Sequence, residues 1–394
     1  MKVLVTGGAG FIGSHTADAL LAAGHQVRAL DSLEPQVHGD RHTPPSYLSP
    51  EVDFIRGDVR DADLLRRALQ GVNAVCHLAA AVGVAQSMYE IRRYVDANCV
   101  GTAALLEAIA HRRNDVERLV VASSMSVYGE GEYLCQTCGP AYPELRREER
   151  LARGEWEHTC PRCGAVVAPQ PTNESKPLRP TSPYAISKRD QEELCLTVGA
   201  AYGLPTTALR YFNVYGPRQA LSNPYTGIGA IFASRILNNR PPVVFEDGLQ
   251  SRDFVHVSDV ARANLLALTA PKATWRSVNI GTGRPTTVLA VAETLIRLLN
   301  PAAASPPQRF PGEVSTSGSS APARLAPSLP GQHRAGDIRH CFADVTSARE
   351  LLGFEAQVSL EQGLAELAPW LAGQQPQDGT DQAIGELESR GLTR

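Results

Sequence analysis

The stretch KVLVTGGAGFIGSHTADALLAA, residues 2–23, constrains this chain more than any other. An apolar run of strand length, 2–6, meets a glycine cluster, and an apolar-periodic stretch follows with Phe11, Ile12, His15, Ala19, Leu20 and Ala23. Gly7, Gly10 and Gly13 then stand where a chain must turn tightly, admit a pyrophosphate to its backbone and pack a helix on a sheet. The next apolar run, VRALD, ends in Asp31. Strand, glycines, helix and acid in this order are the context that turns a glycine triplet into a dinucleotide fingerprint. Asp31 can accept both ribose hydroxyls and repels a 2'-phosphate. Arg28 lies within the strand and Ser32 follows, so the expected cofactor is NAD rather than NADP. In GDVRD, Asp58 is placed either to meet the adenine or to cap the next helix, and both readings stand.

Further apolar runs, DFIRG (53–57), AVCHLA (74–79), RLVVAS (118–123) and TTALRY (206–211), alternate with longer helical patterns. That alternation predicts an α/β fold built on a doubly wound parallel sheet. After Pro217 the pattern shifts to single strands, VVF (243–245) and SVNIG (277–281), between helices near 226–238, 258–270 and 286–299. The expected organisation is a dinucleotide-binding domain at 1–215, interrupted by an insertion at 130–172, and a smaller α/β substrate lobe at 216–372. Residues 300–332, rich in Pro, Ala and Ser, predict a mobile loop, and the polar, Gly/Pro-punctuated residues 373–394 a disordered tail. No run approaches the roughly 18 apolar residues of a membrane span. Glycines interrupt the N-terminal apolar run, which is unlike a signal peptide, so a cytoplasmic location is expected. A net charge of -3 gives no general attraction to nucleic acid or anionic membrane.

Four of the eight cysteines form a pattern: Cys135 and Cys138, then 21 residues, then Cys160 and Cys163, with Gly139 and Gly164 directly after each pair. This is close to the spacing of two zinc knuckles. Disulfides are the competing reading, and nothing at the N-terminus routes the chain to an oxidising compartment. With all four ligands thiolates, no position is left open for water or substrate, so the expected zinc is structural.

TSPYAISK carries the chemistry. Ser182 can cap a helix with Pro183 at its first position, which sets Tyr184 and Lys188 four apart on one face. A phenol of ordinary pKa near 10 is a poor base, and a neighbouring ammonium makes it a usable one. SSMSVYG, at the carboxyl end of the run 118–123, offers Ser123, Ser124 and Ser126 to the reacting oxygen, and Ser124 is the choice.

GGAGFIGSH, GDVRD, HLAA, NCVGT, SSMSVYG, SPYAISK, LRYFNVYGPRQ, EDGLQSRDFVHVSDVA and RAGDIRH together resemble successive blocks of the extended short-chain dehydrogenase/reductase family, in its nucleotide-sugar epimerase, dehydratase and decarboxylase group. The resemblance implies that Ser124 and Tyr184 touch the sugar hydroxyl and Lys188 holds the nicotinamide ribose. It places Phe11, Ile12, Val59, Leu78, Ala79, Ala80 and Asn98 around the cofactor, and Met125, Ser126, Asn213, Arg218, Arg252, Arg334 and Asp337 around the substrate. Asn213, Arg252 and Arg334 would grip its diphosphate. It also implies a homodimer packed through helices near 89–111 and 184–202. The chain departs from the pattern in the step of 56 positions from Tyr128 to Tyr184, where relatives need about two dozen, and the cysteines fill the excess. The loop 217–227 with the four-cysteine insert is similar to enzymes acting on dTDP-L-rhamnose. In dehydratases the two residues after the serine or threonine are Asp and Glu, and decarboxylases keep the Glu; here they are Met125 and Ser126. The expected reaction is therefore NAD-dependent 4-epimerisation, unless Glu130, Glu132 or another acid of the insert swings in to support decarboxylase or dehydratase chemistry. A non-enzymatic dinucleotide-sensing regulator, the remaining reading, would have no need of Tyr184 and Lys188.

Overall fold

The computed structural model describes residues 1–111, 116–221, 223, 225, 227–300, 325–374, 376 and 378–394. In chain order the first strands are β1 (Lys2–Thr6), β2 (Gln26–Asp31), β3 (Asp53–Arg56), β4 (Ala74–His77) and β5 (Arg118–Ser124). The insert supplies β6 (Glu132–Cys135), β7 (Gly139–Ala141) and β8 (Ala168–Gln170). Then come β9 (Thr206–Tyr211), β10 (Asn213–Tyr215), β11 (Ser251–His256), β12 (Arg276–Ile280), β13 (Pro285–Thr287) and β14 (His340–Cys341).

Seven strands make one parallel sheet in the order β12-β9-β5-β4-β1-β2-β3. Its central strands are buried on both faces, with Val3, Leu4 and Val5 of β1 fully inaccessible, as helices on both sides of a parallel sheet require. Strand order reverses between β1 and β4, and ligands bind beyond the carboxyl ends of strands at such a switch point.

Two expected boundaries shift. SVNIG lies in the main sheet rather than the second lobe, because β12 pairs in parallel with β9 and buries Val278 and Ile280 completely. The helix Val257–Ala267 returns the chain there, packing on the helix Phe11–Ala22 with Asn264 Nδ2 donating to Thr16 Oγ1 at 2.9 Å. VVF forms only an isolated bridge, Val243 to Ser328. The second lobe is the sheet β10-β11-β13, with β14 also on β11, over a core that includes Tyr215, Phe232, Phe254, Leu295 and Leu364.

Of the loop expected to be mobile, 301–324 lie outside the described residues. Residues 325–332 are tied down: Leu325 packs on the lobe core and Glu246 N donates to Gln332 O at 2.7 Å. The tail expected to be disordered holds the helix Thr380–Ser389 instead. Thr380, Ala383 and Leu387 bury one face of it, and Asp381 pairs with Arg235 at 2.6 Å. Among the described residues no helix is long and apolar enough to cross a membrane.

Candidate active site

Gly7 turns the chain after β1 at φ 69°, a left-handed value that favours glycine. A Cβ on Gly13 would stand 2.0 Å from the Gly7 carbonyl oxygen, so only glycine lets the helix Phe11–Ala22 start against the turn. At the end of β2 the Asp31 carboxylate accepts from Ala9 N at 3.0 Å and Leu33 N at 2.9 Å. These two amides fix its orientation and leave further lone pairs for ribose hydroxyls. The nearby arginines of the cavity are already engaged: Arg60 forks onto Asp58, and Arg93 pairs with Glu90 and Glu34. His38, 3.7 Å from Asp31, is kept toward the neutral form by burial, against the pull of that carboxylate. Among the described cavity-lining residues no unpaired arginine or lysine stands beside Asp31, whereas Arg41, outside the lining, is close enough to act on His38 and Tyr47.

A cavity of about 520 Å³ opens along the carboxyl ends of the sheet. Gly7, Gly10, Phe11, Ile12, Gly13, Asp31, Asp58, Val59, Leu78, Ala79, Ala80, Ser124, Met125, Ser126, Tyr184, Lys188 and Asn213 all line it. Asn98 does not. Fully buried, it braces the wall, accepting from Ala81 N at 2.7 Å and donating to Ala81 O and Ser187 Oγ. Asp58 lines the cavity while its carboxylate is forked by Arg60, which holds it below the usual range; no helix amide is capped by it. The cap of the next helix is Asp61.

Ser182 caps the helix Pro183–Tyr202 through Ala185 N, as its sequence predicts. Tyr184 is 8 % exposed; burial pushes its phenol up, and the Ser124 hydroxyl beside it opposes that. Ser124 Oγ accepts from Ser126 Oγ at 2.9 Å. Ser123 also borders the cavity, but its hydroxyl donates to Glu192 at 2.6 Å, in a buried pair with Arg210, so of the candidate serines it is committed elsewhere. Lys188 Nζ donates to Gln191 Oε1 at 2.8 Å, and burial lowers its pKa to about 8. Gln191 in turn donates to Thr102 Oγ1, which meets His77 Nε2 at 2.9 Å, while His77 Nδ1 meets Thr6 Oγ1 at 2.8 Å. Burial pushes His77 down to about 3, so this row is neutral and holds Lys188 without a competing charge. Sequence reasoning missed Gln191 and His77. Gln191 follows Lys188 by three positions, within reach on one helix face.

Below about pH 8 both folded and unfolded chains hold the Lys188 proton and the burial penalty is fully present; between about 8 and 10.5 the unfolded chain binds more protons, so stability rises with pH. In cofactor-free protein, the stability difference between wild type and Lys188→Met is expected to move in favour of wild type from pH 7 to 10. Urea titrations across that range measure it.

Other expected substrate residues are placed differently. Asn213 lines the cavity, its buried Oδ1 unpartnered within the protein. Arg252, Arg334, Asp337 and Arg218 lie outside the lining. Arg252 donates to the Ser251, Ile338 and Arg339 carbonyls and pairs with Asp337, Arg334 stacks 4.2 Å over Phe245, and Arg218 pairs with Asp18. Glu130, a possible acid for dehydration, is locked away. It pairs with His158 at 2.8 Å and accepts from Tyr133 and from Arg339 N; against burial, His158 first, then Arg146 and the Arg339 amide, hold it down to about 2. Glu132 accepts from Asn173. The carboxylates that do line the cavity, Asp31, Glu34 and Asp58, follow β2 and β3 on the dinucleotide side.

In the insert the Sγ atoms of Cys135, Cys138, Cys160 and Cys163 lie within 4.8 Å of one another. Thiolates about 2.3 Å from one tetrahedral zinc would stand about 3.8 Å apart, and Cys135 and Cys163 Sγ are 3.6 Å apart. Gly139 and Gly164 take left-handed φ values of 76° and 75°, closing the two knuckles. Backbone N–H groups of Arg162 and Cys163 help bring the Cys160 thiol down to about 6. The donor set fits zinc, with His158 engaged by Glu130 instead.

Residues 3–146 and 159–281 match the NAD dependent epimerase/dehydratase family. The chain is 33% identical over 373 residues to a dTDP-L-rhamnose 4-epimerase of Burkholderia thailandensis, covering 94% of this chain and 95% of that one. Among solved structures it is similar to the UDP-glucose 4-epimerase of Thermotoga maritima with UDP-glucose, at TM-score 0.70, 31% identity and coverage of 94% and 99%. It is likewise similar to the UDP-glucose 4-epimerase of Thermus thermophilus in complex with NAD, at TM-score 0.67, 31% identity and coverage of 95% and 100%. A glycine turn on β1, Asp31 on β2 and a capped Tyr184/Lys188 helix beside Ser124 are thus joined to matches along most of the sequence, and the chain belongs to the NAD dependent epimerase/dehydratase family.

Proposed function

We propose that the protein is an NAD-dependent nucleotide-sugar 4-epimerase acting on dTDP-L-rhamnose, with a structural zinc in its insert and a homodimeric assembly. The observation that carries the reaction type is the neutral surround of Ser124: Met125 and Ser126 follow it, and the lining carboxylates all lie on the dinucleotide side. Bound NAD supplies a hydride acceptor and donor. Tyr184 takes the proton of the C4 hydroxyl and later returns one, and Ser124 Oγ orients that oxygen. Lys188, steadied by Gln191, favours the phenolate electrostatically and donates to the cofactor ribose. With no acid or base set for C5 and C6, the 4-keto sugar turns over and is reduced on its other face.

Asn213, Arg252 and Arg334 are assigned to the diphosphate, for which guanidinium forks are apt, and Arg218 and Asp337 to its surroundings. The dimer is supported by exposed apolar side chains on adjacent elements, Ile91, Val95 and Val100 beside Ile186 and Leu194. To test the reaction, purified protein is incubated with dTDP-L-rhamnose, UDP-glucose, UDP-galactose and UDP-glucuronate, with C4 configuration followed by NMR. Inversion at C4 without net NAD consumption is expected. A 4-keto-6-deoxy product or release of carbon dioxide overturns the assignment.

A further inference from the structure

Residues 378–394 run across several parts of the molecule. The carboxylate of Glu386, on the helix Thr380–Ser389, accepts from Tyr225 OH at 2.7 Å and from Tyr89 OH at 2.9 Å. Arg390 lies 4.2 Å over the Tyr89 ring. Asp381 pairs with Arg235 and Arg240 of the second lobe. Beyond the helix, residues 392–394 pair antiparallel with 333–335: His333 N donates to Arg394 O and Arg394 N to His333 O. The Arg394 guanidinium meets Glu148 of the insert at 2.9 Å. One segment therefore fastens the Tyr89 region, Tyr225, the second lobe, the backbone of Arg334 and the insert.

Tyr225 is the member of this set that lines the cavity. Its backbone N donates to Asn223 Oδ1, which also accepts from Gln36, and both those side chains line the cavity too. A Cβ on Gly83 would stand 2.7 Å from Tyr94 OH and 3.4 Å from Tyr225 Cβ, so glycine at φ 144° lets both tyrosines close in. Tyr94 meets Tyr184 edge-on at 6.2 Å. Contact is continuous from Glu386 through Tyr225, Gly83 and Tyr94 to the catalytic phenol. The two phenols hold the Glu386 carboxyl below its usual range, Tyr225 most, so the latch is charged at neutral pH.

We propose that residues 378–394 are a strap that fixes the nucleotide end of the substrate site, with Glu386 a positioning residue acting through Tyr225. One end of the strap sets a cavity-lining residue of the loop 217–227; the other sets the segment bearing Arg334, a forked donor suited to phosphate. The ligand that feels the strap is the nucleoside diphosphate half of the substrate, so the proposal rests on the nucleotide-sugar reading.

The test compares wild type, Glu386→Ala and Glu386→Gln in the full chain. Calorimetry measures dTDP and UDP binding, fluorescence measures NAD binding, and steady-state kinetics follows the nucleotide sugar. Removing an acceptor shared by two phenols is expected to weaken nucleoside diphosphate binding and raise KM about five- to thirtyfold. NAD affinity is expected to be unchanged and kcat to stay within about twofold. Glu386→Gln, whose amide oxygen can still accept, is expected to recover most of the affinity. If wild type binds the diphosphates and Glu386→Ala binds them equally well, the strap proposal falls and the nucleotide-sugar reading survives. If Glu386→Ala lowers thermal stability with KM unmoved, Glu386 is merely structural and the proposal again falls. If wild type binds neither diphosphate, both readings fall together.

Discussion

Tyr184→Phe lowers kcat by about 10²- to 10⁴-fold, the range for losing a general acid/base, and leaves NAD affinity nearly unchanged. The ring keeps its buried place and its edge contact with Tyr94; only the hydroxyl beside Ser124 is lost. KM for the nucleotide sugar is expected to move little, because the residues proposed to grip its diphosphate are left unchanged. Single-turnover absorbance of the reduced cofactor separates the chemical step from binding. Retention of more than about a tenth of wild-type kcat, far above that range, would mean that another group takes the proton.

Removing the metal is the second large perturbation. Purified protein is expected to carry one zinc per chain, and Cys160→Ser to lose it. The apolar core of the insert is small: Tyr133, Cys135, Ala141, Cys160 and Val167, two of them among the proposed zinc ligands. A core of that size does not order a subdomain without a staple. The insert is bolted to the second lobe by charged groups: Arg146 forks onto Glu246, Arg339 pairs with Glu157, and the Glu130 carboxylate accepts from Arg339 N. Arg339 is fully buried and Glu246 nearly so. Stripping one side of such a pair costs roughly 3–5 kcal/mol, so a fall in the urea midpoint is expected. Asp337, whose carbonyl accepts from Arg146, and Arg334 share the segment the insert holds, so KM for the nucleotide sugar rises at least about tenfold for a loss of about 1.4 kcal/mol or more. NAD binding, on the far half of the sheet, is retained. Metal analysis with paired NAD and substrate titrations reads all three outcomes; substrate affinity unchanged in zinc-free protein would separate the insert from the site.

What could be read in advance follows the range of the forces involved. The cradle of Gly7, Gly10 and Gly13, the cap at Ser182 and the Tyr184/Lys188 face are local, each set by residues within one turn or strand. The placement of β12 was not local. SVNI has the same pattern in either sheet, and only burial of Val278 and Ile280 against β9 decides. In the helix Thr380–Ser389, Ala383 and Leu387 recur four apart, but Gln, Gly and acidic neighbours mask that stripe, and Arg235, Tyr89 and Tyr225 supply the anchors from more than 140 residues away. Arg252 could be named as a phosphate fork from its type, yet its hydrogen bonds to the 338 and 339 carbonyls depend on a strand pairing that no short window contains.

The outermost strand of the parallel sheet, β12, is encoded after β10 and β11 of the second lobe. During synthesis, β9 emerges with an open edge that stays unpaired until residue 280 has left the ribosome, about seventy residues later. At roughly 5–20 residues per second, that is an interval of several seconds with an unpaired, apolar parallel edge exposed. The dinucleotide half is therefore not expected to mature before β12 has been made. A fragment ending at 215 is expected to aggregate, whereas one ending after the helix Val288–Leu299 can close the sheet.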